Sequence, residues 1–261
     1  MKDIYRYSKQ LILDGFGNDA QEKLKNSKVL VVGAGGLGSS ALFYLSAVGV
    51  GTIGICDFDT VTTSNLNRQI IHFTPDIQKL KTQSAAEKIA FINPDVIVIK
   101  HDVRLTSMNI DAIISNYDVI VDATDNVTSR YLISDCCFFH GKPLVEGGAV
   151  GYTGQIMTII PPDTACYRCL YPMPPKDGVL QTCGNTGILG MVTGVIGSMQ
   201  ALEAVKIITE IGVPLTGRLL FFDAMSSSYN EIIIEKNSTC PLCGKSPSIT
   251  ELIEYNVKCK I

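Results

Sequence analysis

The stretch VLVVGAGGLG, Val29 to Gly38, decides how the rest of the chain is read. Four apolar, mostly β-branched residues predict a buried strand, and Gly33, Gly35 and Gly38 follow at G-x-G-x-x-G spacing. A helical run from Leu37 to Val48 comes next. Glycine at such a turn lets the backbone approach a phosphate closely, and the opening helix turns free N–H groups and its positive dipole end toward it. A second predicted strand, TIGIC from Thr52 to Cys56, ends on Asp57. That sets a carboxylate about 20 residues past the glycines, where a ribose hydroxyl needs an acceptor. With strands on both sides and the acid in place, the signature points to a nucleotide of unspecified kind. The competing reading is a tight strand-to-helix turn with no ligand.

Working outward, strand and helix alternate. KLKTQSAAEKIAFI has apolar residues at helical spacing and is stopped by Asn93-Pro94. DVIVIKHD predicts a third strand, NIDAIISN a short helix, and YDVIVDATDN, Tyr117 to Asn126, a fourth strand with a polar tip. A helix over 127–139 and a strand over 143–146 follow, the pattern of a parallel, doubly wound, Rossmann-like α/β sheet. After Gly147 strands come in succession (GQIMTIIPP, RLLFFDA, NEIIIEK), broken by a glycine-studded helix from about Gly187 to Ile211. The sheet is therefore expected to become mixed toward the C-terminus. No stretch has linker composition, which predicts one continuous domain over 1–261. Its parts are an N-terminal arm and helix (1–27), a nucleotide-binding core (28–147), a mixed-sheet, zinc-binding part (148–244) and a tail (245–261).

Composition narrows the function classes. A net charge of −3 and a pI near 5.6 argue against nucleic acid or an anionic membrane surface as the main partner. Met1 to Lys9 is charged and polar, so no signal peptide is expected. The apolar stretch from Gly187 to Leu202 contains four glycines, Thr193, Ser198 and Gln200 and runs into Glu203 and Lys206, which predicts a buried helix, not a membrane span. Nine cysteines without a secretion signal suggest reduced thiols, metal binding and a cytoplasmic location.

Four of those cysteines form the clearest local motif. Cys166-Tyr-Arg-Cys169 and Cys240-Pro-Leu-Cys243-Gly are both C-x-x-C. Two such turns complete a tetrahedron around one zinc ion at Zn–S distances of about 2.3 Å, leaving no position for water, so this zinc is expected to be structural. A redox dithiol needs a helix N-terminus after a strand to lower a thiol pKa, and neither pair has that context. Cys183, in LQTCGNTG, reads either as an accessible thiol acceptor or as a small core residue. Cys56, Cys136, Cys137 and Cys259 suggest packing only, and His72, His101 and His140 fall in no ligand or triad spacing.

The kind of nucleotide follows from charge. A pyrophosphate is managed by a helix end and backbone amides, whereas a triphosphate recruits lysine or arginine and magnesium. Arg68 in NLNRQ, Lys81, and Asp125 at the tip of the fourth strand come from the carboxyl ends of neighbouring strands. That set suits ATP with Mg2+ better than a nicotinamide.

RYSKQ, VLVVGAGGLGS, DFDTV with SNLNRQ, Lys81, DATDN, CYRCL and CPLCG occur in an order that resembles the ThiF/MoeB/HesA family, relatives of the ubiquitin-activating enzymes, over Tyr5 to Gly244. The resemblance implies an adenylyltransferase acting on the C-terminal Gly-Gly carboxylate of a small ubiquitin-like sulfur carrier protein. It implies that Gly33, Gly35, Gly36, Gly38, Asp57, Asp59, Asn65, Arg68, Gln69, Lys81, Asp125 and Asn126 form the ATP site, with magnesium on Asp125. It also implies zinc on Cys166, Cys169, Cys240 and Cys243, and a homodimer whose N-terminal arms reach into each other's sites. The arm of the family reads R-Y-x-R-Q; here Lys9 stands for the second arginine, acting in trans as a point charge without a bidentate fork. Leu80 replaces a frequent proline before Lys81. About 17 residues follow the second cysteine pair, so sulfur is expected to come from a separate donor protein. The competing readings are a nicotinamide-dependent dehydrogenase and a non-catalytic carrier-binding member of the same fold.

Overall fold

The computed structural model describes residues 2–175 and 186–255. Helices α1 (Lys2–Leu11) and α2 (Gly17–Asn26) precede β1 (Lys28–Val32), α3 (Gly36–Val48) and β2 (Thr52–Cys56). After two 3-10 turns come α4 (Lys81–Ile92), β3 (Ile97–His101), α5 (Ile110–Ile114), β4 (Val119–Asp122), α6 (Val127–Phe139) and β5 (Leu144–Val150). The remainder is β6 (Thr153–Ile159), α7 (Tyr167–Leu170), α8 (Gly190–Thr209), β7 (Arg218–Asp223) and β8 (Ser228–Ile233). The N-terminal segment thus holds two helices where the sequence suggested one short one.

One eight-stranded sheet runs through the molecule in the order β3-β2-β1-β4-β5-β6-β7-β8. The first five strands are parallel, and β5–β6, β6–β7 and β7–β8 are antiparallel, as the change of texture after Gly147 suggested. The β1 residues explain why its sequence is apolar throughout. Val29 and Val31 enter a core shared with α3, α4 and α8, while Leu30 and Val32 enter a second core shared with α5 and α6. A parallel strand covered on both faces has no polar side.

Strand order reverses at β1, with β2 and β3 on one side and β4 on the other. Crossovers leave that point in opposite directions, so a crevice opens beyond the carboxyl ends of β1 and β4. The loop Gly33–Gly35 stands at its mouth. Gly33 has φ +95°, and a Cβ at Gly38 would lie 1.9 Å from the Gly33 carbonyl oxygen, so the loop can fold onto α3 only with glycine at that position.

Helix α8 is long and apolar enough to cross a membrane by length and composition. Its packing is that of a core helix: a Cβ at Gly197 would meet the Leu37 carbonyl oxygen at 2.1 Å, so α8 and α3 cross backbone to backbone. Two of its buried polar side chains bond beyond the helix. Gln200 Nε2 donates to the Asp122 and Val145 carbonyls, and Glu203 Oε2 accepts from Thr158 Oγ1 and Leu215 N, each at 2.7 Å.

Candidate functional site

A cavity of about 620 Å³ occupies the crevice. One wall is formed by Gly33, Gly35, Gly36, Asp57, Asp59, Arg68, Gln69, Lys81, Asp125 and Asn126. Residues spread over more than ninety sequence positions therefore converge on one space. Gly38 lies beneath it in the first turn of α3, and Asn65 shapes the turn behind it, where Asn65 Oδ1 accepts from Thr62 N at 3.2 Å.

The acids come first in building this wall. Asp57 Oδ2 accepts the Ala34 N–H at 2.8 Å and Oδ1 accepts the Asp59 N–H at 2.8 Å. Its role in the structure is thus to tie the glycine loop to the end of β2; a ribose hydroxyl would have to use the lone pairs left over. Burial pushes its carboxyl above the ordinary value, opposed by Lys81. Asp59 Oδ2 accepts from Lys81 Nζ at 2.9 Å, which fixes a buried ammonium at the start of α4, aimed into the cavity. Arg68 Nη1 donates to Ser64 O at 2.9 Å and Asn67 Oδ1 at 3.1 Å, folding the guanidinium over its own turn. Gln69 is buried, with its Nε2 toward Gly35, and among the described residues its Oε1 has no partner.

Asp125 is exposed at the tip of the β4 loop, and Asn126 caps α6, its Oδ1 accepting from Ser129 N at 2.8 Å. The loop is held from below by Asp122, whose Oδ1 accepts from Thr124 N and Oγ1, and from the side by Arg130, which donates to Thr124 O at 2.9 Å. Arg130 also pairs with buried Glu146, the β5 residue in register with Asp122. Burial pushes the Glu146 carboxyl up to about 7, with Arg130 opposing. Arg130, Glu146 and the aromatic wall of Tyr131, Tyr167 and Tyr171 had no signal in the sequence. Strand register sets Glu146 beside Asp122, and the packing of α7 against α6 brings Tyr167 and Tyr171 to Tyr131; spacing in the sequence reveals neither.

One expected residue lies elsewhere. Lys9 is exposed on α1, whose Tyr7 accepts from Asn93 Nδ2 at 2.8 Å and abuts Gly49, at the far ends of α4 and α3. A 13-residue helix is about 20 Å long, so Lys9 is remote from the glycine loop of its own chain. Cys183 and Cys259 lie outside the described residues.

The two C-x-x-C pairs meet. Cys166 Sγ is 3.8 Å from Cys169 Sγ, 3.5 Å from Cys240 Sγ and 3.4 Å from Cys243 Sγ, and Cys169 Sγ is 3.3 Å from Cys243 Sγ. An ideal zinc tetrahedron sets sulfurs about 3.8 Å apart, so the donor set fits zinc with a small outward adjustment. Asn237 N donates to Cys169 Sγ at 3.4 Å and Cys243 N to Cys240 Sγ at 3.5 Å, bonds that suit thiolates. Leu242, Ile249 and Phe138 seal the cluster against α6. Arg168, inside the first pair, is fully buried and grips Asp135 of α6 with two bonds of 2.7 Å, its guanidinium over the Tyr131 ring. A third group, Asp111, Cys136 and His140, is satisfied by hydrogen bonds onto Asp111 Oδ1 and clamps α5 to the end of α6.

Known proteins agree with this architecture. An E. coli MccB structure with MccA-N7isoASN superposes with a TM-score of 0.82 at 20% identity, covering 93% of this chain and 75% of that one. The Zea mays protein named adenylyltransferase and sulfurtransferase MOCS3-2 is 47% identical over 249 residues, 95% of this chain; the chain spans only 52% of that relative's length. The Thermus thermophilus protein named sulfur carrier protein adenylyltransferase is 41% identical over 99% of this chain and 97% of its own length. Residues 7–242 match the ThiF family model, and the chain belongs to that family.

Proposed function

We propose that the protein uses ATP to adenylylate the C-terminal carboxylate of a small ubiquitin-like sulfur carrier protein ending in Gly-Gly, releasing pyrophosphate. The observation that carries this reading is the convergence of the glycine loop, Arg68, Lys81 and Asp125 on one cavity at the strand-order reversal. A dinucleotide reading explains the loop and Asp57 but leaves the two cations opposite Asp125 without a purpose.

The carrier's terminal carboxylate, with a pKa of about 3.5, is already an anion at neutral pH, so no general base is needed. One of its oxygens forms a bond to the α-phosphorus, and the bond from that phosphorus to the pyrophosphate oxygen breaks. The leaving pyrophosphate carries away the electron pair. Positioning and charge neutralisation supply the acceleration. Gly35 and Gly36 present backbone N–H groups, while the Gly33 N–H is spent on the Cys56 carbonyl at 2.8 Å and anchors the loop to β2. Arg68 and Lys81 clamp the triphosphate, and Asp57, Asp59, Asn65, Gln69 and Asn126 shape the pocket. Asp125 would hold the magnesium ion, which neutralises phosphate charge when bound. The product is an acyl-adenylate, activated for attack by sulfur.

Two further assignments belong to the same reading. The position of α1 supports a homodimer in which Lys9 serves the partner's triphosphate, since its own site lies at the other end of α3. The sulfur geometry supports one structural zinc on Cys166, Cys169, Cys240 and Cys243. Cys183 is retained only as a candidate thiol acceptor. The test is ATP–pyrophosphate exchange with a purified Gly-Gly carrier. Exchange that needs the carrier and disappears when its last glycine is removed supports the reading; NADH binding in place of ATP would replace it with the dehydrogenase.

A further inference from the structure

His72 stands in no motif, yet it is 3% exposed and lies directly under the glycine loop. Its ring has a defined partner on each nitrogen. Nε2 is 2.9 Å from the Ala34 carbonyl oxygen and Nδ1 is 2.8 Å from Ser84 Oγ, on α4. A carbonyl only accepts, so Nε2 carries the proton and Nδ1 accepts from the serine hydroxyl. Ser84 Oγ in turn accepts from Lys88 Nζ at 3.3 Å, and that ammonium pairs with buried Asp76. Charge and hydroxyl thus fix one tautomer. Burial, with Lys81 and Lys88 nearby, holds the imidazole below its ordinary pKa and keeps it neutral, against the contrary pull of Ala34 and Asp76.

The other end of Ala34 is also held, because its N–H donates to Asp57 Oδ2 at 2.8 Å. In a trans peptide the carbonyl of one residue and the N–H of the next point in opposite directions. The Ala34 carbonyl points inward to His72, so the Gly35 N–H points outward, into the cavity that Gly35 lines. The space around Gly35 is open, for a Cβ there would find nothing nearer than Gln69 Nε2, at 3.7 Å. Were the carbonyl released, the peptide could rotate and present oxygen to the cavity. A carbonyl oxygen repels a phosphate where an N–H binds it.

We propose that His72 is a positioning residue for nucleotide binding: through the Ala34 carbonyl it locks the glycine-loop peptide so that the Gly35 N–H faces a phosphate of ATP. The inference rests on the reading of this cavity as an ATP site. It assigns His72 no contact with the nucleotide and no proton transfer.

The test compares His72→Leu, which removes the donor at similar bulk, with His72→Gln, whose amide can still donate to Ala34. ATP, adenosine and the carrier are each titrated, and folding is checked by thermal melting. His72→Leu should weaken ATP about tenfold and His72→Gln about threefold or less, on the scale where 1.4 kcal/mol is a factor of ten. Adenosine and carrier affinities should not change in either variant, because only the phosphate contact is lost. A folded His72→Leu protein that binds ATP as tightly as wild type overturns the inference, and so does an equal loss for adenosine. If His72→Leu does not fold, Ser84→Ala serves, since it frees the ring from one side; unchanged ATP affinity there also overturns it. Wild-type protein that fails to bind ATP would instead remove the nucleotide reading on which the inference stands.

Discussion

The parallel and antiparallel halves of this sheet build their sites in opposite ways. In the parallel half the cavity is made from strand ends: a glycine loop after β1, acids after β2, cations from the segment before and at the start of α4, and Asp125 after β4. No two of those elements recognise a ligand alone. In the antiparallel half the four sulfurs come from two short turns, each of which carries half of its site in its own spacing. The first depends on where the chain crosses over, the second on which side chains sit three apart. One half is therefore expected to lose chemistry and keep its fold when a single side chain is removed, and the other to do the reverse.

The largest expected effect tests that separation from the parallel side. Asp125 is exposed and carries no packing, so Asp125→Ala should reduce ATP–pyrophosphate exchange by about a hundredfold or more while thermal stability and carrier binding stay at wild-type levels. Near-normal exchange would move the magnesium ligand to another residue.

From the antiparallel side, Cys240→Ser opens one corner of the sulfur tetrahedron. Stability should fall by about 3 kcal/mol or more in urea titration, and zinc measured by elemental analysis should drop from one per chain. ATP affinity at a temperature where the variant remains folded should be unchanged. A parallel loss of ATP affinity would show that the two halves are coupled through Arg168 and α6, and the absence of zinc from reduced, chelator-free wild type would remove the metal from the comparison.

A smaller effect sits at the boundary. Glu146 lies on β5, the last parallel strand, and its carboxyl is raised from 4.5 to about 7, chiefly by burial. The folded protein then holds a proton that the unfolded chain releases earlier. This group's contribution to stability is accordingly fully present below 4.5 and declines as pH rises toward about 7. Glu146→Gln cannot ionise, so the stability lost between about pH 5 and about pH 8 should shrink by on the order of 2 kcal/mol relative to wild type, measured by denaturant titration. An unchanged pH profile would mean that Arg130 holds Glu146 ionised throughout.

Legibility in the sequence followed the same division. The glycine loop could be read because a tight turn and a close helix leave no alternative to glycine at Gly33 and Gly38. The cysteine pairs could be read because metal ligation needs only local spacing. Arg68, Lys81 and Asp125 were legible as a group from their place at the carboxyl ends of neighbouring strands, but not their differing environments: Lys81 is buried and tethered to Asp59, while Asp125 is open. Asp57 illustrates the limit. Its position after β2 suggested a ribose acceptor, and the fold uses both of its oxygens to hold backbone.

By itself the sequence determined the alternation of strands and helices, the change from parallel to antiparallel pairing after Gly147, and the identity of two local motifs. Periodicity, glycine placement and i, i+3 spacing are properties of a few consecutive residues, and they survive in a string of letters. Tertiary structure alone decided that Glu146 lies in register with Asp122, that Arg168 sinks against Asp135, and that His72 reaches back to Ala34. Each of those contacts joins residues from different elements, through a strand pairing or a helix packing that one residue of slippage would undo.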